Sequence, residues 1–151
     1  MGEMRGKRHV RPEEQPTSTF GWGQIKFLCE PGLCSAEHLT VGHVKLAAGQ
    51  GHLRHNHPGS EEILFILAGE GEQMVETDLE ENGGEPRLFQ VKAGDLVHIP
   101  ASVYHQTINT GAGTMELVAV YSPCGPEAVV RSLPDHRELP PGPWPREGET
   151  E

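Results

Sequence analysis

At 151 residues the chain has the length of one domain with a buried core. Its formal charge of −10, with histidine neutral, leaves no broad basic surface for nucleic acid or anionic lipid. No apolar stretch approaches the ~20 residues of a membrane-spanning helix, and no apolar leader segment opens the chain, so a cytoplasmic protein is expected.

Residues 1–19 are polar, with Arg5, Lys7, Arg8 and Arg11 followed by Pro12 to Pro16, and they read as a disordered arm. Phe20 to Leu28 brings Trp22 and an alternating Ile25/Phe27 pattern, which predicts an edge strand laid against the body of the fold. Cys29 and Cys34, with Cys124 far away, match neither a disulfide framework nor a zinc spacing. They are expected to be reduced structural thiols. Leu39 to Leu46 alternates, with Val41, His43 and Lys45 on one face and Thr40, Gly42, Val44 and Leu46 on the other. His43 is a pocket residue or a surface one; the pattern does not choose.

Gly49 to Gly69, GQGHLRHNHPGSEEILFILAG, carries the densest chemistry. His55 and His57 are two apart, so in an extended strand both imidazoles project from one face. His52, at an odd offset from His55, is expected to point away as a bystander. After the turn Pro58-Gly59-Ser60 come Glu61-Glu62 and the run Ile63 to Ala68, which reads as a strand buried on both faces. A carboxylate at the mouth of such a strand is costly unless paired or bound to metal. The stretch therefore has the makings of a His, His, Glu ligand set.

Glu72 to Glu76 reads as a further strand, and Asp78 to Pro86 as an acidic, Gly-rich hairpin tip without the spacing of a calcium loop. Arg87 to Val91 returns as a strand. Gly94 to Asn109, GDLVHIPASVYHQTIN, gives a turn, a strand over Leu96 to Ile99, a break at Pro100 and a new strand at His105. Met115 to Tyr121 is a clean apolar strand. From 124 to 151 the chain is Pro-rich, with room for one helical turn around Glu127 to Ser132 and no longer helix. The part before Pro140 is expected to pack and the part after it to be disordered, with Trp144 either an anchor or exposed. Strands punctuated by Gly and Pro, with 19 and 13 of them, point to an all-β fold.

The two dense stretches resemble the paired motifs of the cupin superfamily. The first matches G(x)5HxH(x)3-4E(x)6G through Gly49, His55, His57, Glu62 and Gly69; the second matches G(x)5PxG(x)2H(x)3N through Gly94, Pro100, His105 and Asn109. Ser102 stands where the second motif has Gly. Glu61 passes the first spacer but not the second, so Glu62 is the expected ligand. The resemblance covers roughly residues 39 to 121. It implies a double-stranded β-helix (jelly-roll) barrel over 20–123, with an N-terminal strand extension, the arm 1–19 before it and the tail 124–151 after it.

It also implies a mononuclear site in which His55, His57, Glu62 and His105 hold one divalent transition metal. Nitrogen and carboxylate donors suit Fe, Mn, Ni, Co, Cu or Zn without choosing among them. The expected function is a small metalloenzyme acting on a small organic molecule, by dioxygenase or by isomerase or lyase chemistry. A non-catalytic binding or sensory module is the alternative. No catalytic group is assigned: Glu61, His43 and His98 are pocket candidates only. The apolar alternation of Ile63, Phe65 and Leu67 with Leu64 and Ile66 calls for cover on the outer face. A homodimer is expected, or cover by the strand around Trp22.

Overall fold

The structure, a computed structural model, describes residues 6–146. A 3-10 turn (Pro12–Glu14) leads into β1 (Thr17–Phe20), β2 (Gly23–Cys29), the short helix α1 (Pro31–Cys34) and β3 (Thr40–Leu46). Then come β4 (Gly51–His55), β5 (Glu61–Ala68), β6 (Glu70–Val75), β7 (Arg87–Lys92), β8 (Leu96–Ile99) and β9 (His105–Asn109). β10 (Met115–Ser122), α2 (Pro126–Arg131) and β11 (Arg137–Leu139) complete the chain. Among the described residues the strands form two antiparallel sheets, in the orders β11-β1-β2-β3-β10-β5-β8 and β4-β9-β6-β7. This is the jelly-roll architecture expected.

Strand alternation builds the core. Leu64 and Ile66 of β5 are buried, as are Met115, Leu117, Ala119 and Tyr121 of β10 and Val44 and Leu46 of β3. With Val75 and Val91 from the smaller sheet they make one continuous cluster. The expected faces of β3 hold, and His43 lies on the outer one, beside Glu116 and under Trp144. β5 differs from its expectation. Ile63, Phe65 and Leu67 stay 36–43% exposed, because no other part of the described chain covers that face. The strand around Trp22 does not cover it, for β1 and β2 extend the sheet on the far side of β3.

Both ends of the chain depart from expectation. β2 is not an edge strand, since β1 and β11 are added outside it. The part of the expected arm from residue 6 to 19 includes the 3-10 turn and most of β1, whose residues are all buried; residues 1–5 lie outside the described chain. The physical cause is Lys26. Its side chain is fully buried, and its ammonium donates to Gln15 O at 2.7 Å, Gly142 O at 2.8 Å and Pro12 O at 2.9 Å. A buried cation has to find such acceptors, and here the carbonyls come from the two polar end segments. Trp144 caps the same place, its ring under the Lys45 ammonium at 4.5 Å. Composition alone hides this, because the partner groups are backbone.

Lys26→Met keeps the bulk of the side chain and takes the ammonium away from three carbonyls, of which Pro12 O keeps the Gln15 N–H. It should cost about 2–3 kcal/mol and lower the melting temperature by roughly 5–10 °C. An unchanged melting temperature would mean that the end segments are dispensable, as their composition implies.

Candidate metal centre

Two strands of the smaller sheet meet at the site. β4 ends on His55 and β9 begins on His105, and the two residues are partners across the ladder. From the larger sheet, β5 contributes Glu62 on its inner face, beside Tyr121 of β10 and Ile99 of β8. His57 comes from the loop after β4 and is buried. One ligand atom from each of His55, His57, Glu62 and His105 lies within 4.8 Å of the others.

The imidazoles are oriented by backbone. The Nδ1–H of His55 donates to Leu53 O at 2.7 Å, and that of His105 to Val103 O at 2.9 Å. Each ring thereby turns an Nε2 lone pair inward. Glu62 Oε2 stands 2.9 Å from His105 Nε2 and 3.2 Å from His57 Nε2. These three buried atoms have no hydrogen-bond partner that meets hydrogen-bond geometry among the described residues. Lone pairs this close repel unless a proton or a cation lies between them. Donors about 2.1 Å from a common ion and at right angles would sit about 3 Å apart, so the residues fit a divalent cation.

Burial sets the charge states. It is the main cause that pushes His55 down to about 2 and His52 down to about 4. Burial works against the Glu62 carboxylate, yet His105 and His57 outweigh it and hold that group at about 2. The same carboxylate raises His105 against the effect of its own burial. Burial first, then Glu62, raises the Tyr121 phenol well above its ordinary value.

The loops that carry the ligands are pinned by the motif residues. Asn109 is fully buried, and its Nδ2 donates to Gly113 O at 2.8 Å and Leu46 O at 2.9 Å. Ser102 has φ of +66°, which explains the motif's glycine. Its hydroxyl accepts from Gly59 N at 2.9 Å and its carbonyl from Asn56 Nδ2 at 3.1 Å, so it ties the second motif's loop to the first. Gly69 ends β5 at φ of +82°, where a Cβ would stand 2.9 Å from Met115 Cα.

Of the other pocket candidates, Glu61 and His98 pair with each other at 2.8 Å on the exposed outer face, and His43 is remote on β3. His52 is the correction. A bulge between His52 and His55 puts three steps of β4 against two of β9, which cancels the odd offset. The His52 ring stacks on His55 at 3.5 Å and on Trp22 at 4.1 Å. Strand parity missed both residues; the histidine spacing would have found His52 only if the bulge had been anticipated. With Ile25, Val44, Leu46, Leu64, Leu117, Ala119 and Tyr121 they wall a pocket of about 30 Å³ beside the cluster.

In protein stripped of metal, His52 and His55 are neutral when folded and ordinary when unfolded. The unfolded chain then binds more protons below about pH 6.5, so stability should fall as pH drops from about 6.5 toward 4. The raised His105 opposes this more weakly. Thermal melts across that window should show the loss; a flat profile would mean that the two rings are not held neutral.

The cupin domain model matches residues 42–121, the span from β3 to β10. An uncharacterised protein of Methanocaldococcus jannaschii is 28% identical over 109 residues, 72% of this chain and 80% of its own. A glucose-6-phosphate isomerase of Thermococcus litoralis is 33% identical over 60 residues, 40% of this chain and 30% of its own. Bacillus subtilis oxalate decarboxylase, described with Mn(II) centres, superposes with a TM-score of 0.70 at 20% identity. That likeness covers 81% of this chain and 31% of the decarboxylase, and it concerns the fold. With the domain model matching more than half of the chain and both motifs placed on facing sheets, this chain belongs to the cupin family.

Proposed function

We propose that the protein is a mononuclear metal-dependent cupin, in which His55, His57, Glu62 and His105 hold one divalent transition metal and a small organic molecule is the substrate. The observation that carries this reading is the set of three buried, unpartnered donor atoms on His57, Glu62 and His105. Three nitrogens and one oxygen leave coordination positions open on a five- or six-coordinate ion. Such an ion, when bound, supplies Lewis-acid polarisation of a substrate oxygen and, if redox-active, electron transfer to or from the substrate.

The chain's own residues do the rest. Glu62 is the one anionic ligand and offsets part of the cation's charge. The apolar walls exclude bulk water, which strengthens electrostatic interactions at the site. Tyr121 keeps its phenolic proton and serves as a hydrogen-bond donor beside Glu62. His52, stacked on His55 at 3.5 Å, is a non-ligand imidazole beside the cluster. These features suit isomerase, lyase or decarboxylase chemistry, which the isomerase and decarboxylase relatives support by analogy; dioxygenase chemistry uses the same ligand set. The alternative, a non-catalytic small-molecule-binding or sensory cupin, would use the same ligand set.

No helix among the described residues is long and apolar enough to cross a membrane; we place the protein in the cytoplasm, with no nucleic-acid partner. We take the described residues 6–146 as a single domain, with β1 and β11 at the edge of the larger sheet. The outer face of β5 and β8, with Ile63, Phe65, Leu67 and Leu96 exposed, is the expected contact of a homodimer. Sedimentation at several concentrations should give the dimer mass, and a monomer throughout would count against it.

Glu62→Ala should sharply lower metal per chain after dialysis, whereas Glu61→Ala, which alters an exposed pair with His98, should retain it. Mass spectrometry on folded protein reads both. The reverse order would overturn the ligand assignment, and equal retention would mean that three imidazoles suffice. Oxygen uptake during turnover under air separates an oxygenase from an isomerase or lyase.

A further inference from the structure

At about 30 Å³ the pocket has room for one or two water molecules. An organic molecule reaches the centre through this pocket only if a wall yields. Most of the wall is fixed: Ile25, Leu46, Leu64, Leu117 and Ala119 lie within strands and are at most 3% exposed. Trp22 is different. It sits with Gly21 in the two-residue turn between β1 and β2 and is half-buried. Ring stacking holds its indole, which has no hydrogen bond to the other described residues.

Beyond Trp22 lies an open cleft of about 610 Å³, lined also by Phe20, Gln24, Lys45, Gln50 and Glu116. That is the size of a small-molecule site. Among the described residues Trp22 alone lines both the cleft and the pocket. The indole lies nearly parallel between Phe20 (4.7 Å, 10°) and His52 (4.1 Å, 4°). If the indole swings into the cleft, it leaves a flat slot between those two rings, continuous with the space beside His55, Glu62 and His105.

We propose that the cleft and the pocket are one binding site divided by Trp22, which swings aside to admit a planar organic ligand. The ligand passes through the gap that the indole leaves beside Phe20 and His52, and its oxygen donor end reaches the ion. The remainder lies in the cleft, where Gln24 and Gln50 meet its polar substituents. The proposal deepens the metal-dependent reading above and rests on it. It also accounts for a pocket with room for only one or two water molecules.

The test uses Co²⁺-loaded wild type, Trp22→Ala and Trp22→Phe, with metal content and circular dichroism checked first. Azide and benzohydroxamate are the probes, followed by the visible spectrum of the metal. Azide should bind all three proteins within about twofold of one another, and benzohydroxamate should associate roughly tenfold faster with Trp22→Ala. Trp144→Phe leaves Trp22 as the one tryptophan, and benzohydroxamate should shift its emission to the red as the indole meets water. Equal benzohydroxamate rates in all three proteins, or binding without the emission shift, would overturn the proposal. If wild type retains no cobalt, the metal reading fails instead. The door is then read in metal-free protein from the carbethoxylation rates of His55 and His105, which Trp22→Ala should raise about fivefold. Equal carbethoxylation rates would overturn it there as well.

Discussion

Two backbone carbonyls, those of Leu53 and Val103, decide what the centre of this protein can be. By taking the Nδ1 protons of His55 and His105 they leave each ring with one lone pair, and the ladder pairing of β4 with β9 aims both pairs at one point. Glu62 then arrives from the opposite sheet with a carboxylate in the same small volume. Nothing in the surrounding wall can neutralise that concentration of acceptors. The wall is apolar, and Tyr121 can at most donate one proton. A positive species among those acceptors would relieve their repulsion and stabilise the fold. The barrel, the motif loops and the pinning by Ser102 and Asn109 serve to hold that arrangement.

The four candidate ligands were legible because strand parity and two fixed spacers converge on them. Glu62 against Glu61 is the clearest case. Adjacent carboxylates of identical chemistry are separated by which face of β5 they occupy, and the buried Leu64 and Ile66 settle the face. The same reasoning failed at His52, three residues away from a ligand, because a bulge is a local change of count that alternation cannot reveal. It failed at Trp22 for a different reason. Turn residues carry no period, and this indole is positioned by stacking on rings far off in sequence.

The described parts of the N-terminal arm and of the stretch after Pro140 were misread through composition. Proline, charge and the absence of alternation normally mark chain that buries too little to order itself. Here the ordering comes from outside the segments. Thr19 and Gly21 are tied to the C-terminal part by Arg137 O and Asp135 Oδ2, and His136 meets Ser18. Each tie is polar and long in sequence, so no window along the chain contains both halves.

Lys26 sets an order of events for the newborn chain. Its acceptors are Pro12 and Gln15, made before it, and Gly142, made long after it. β1 likewise has to wait for β11 to become its outer neighbour. During synthesis the paired motifs are therefore complete, and free to collapse around an ion, while an early lysine and the first strand still lack partners. The residues of the centre are all made before Gly142, and the later stretch then locks the earlier one in place.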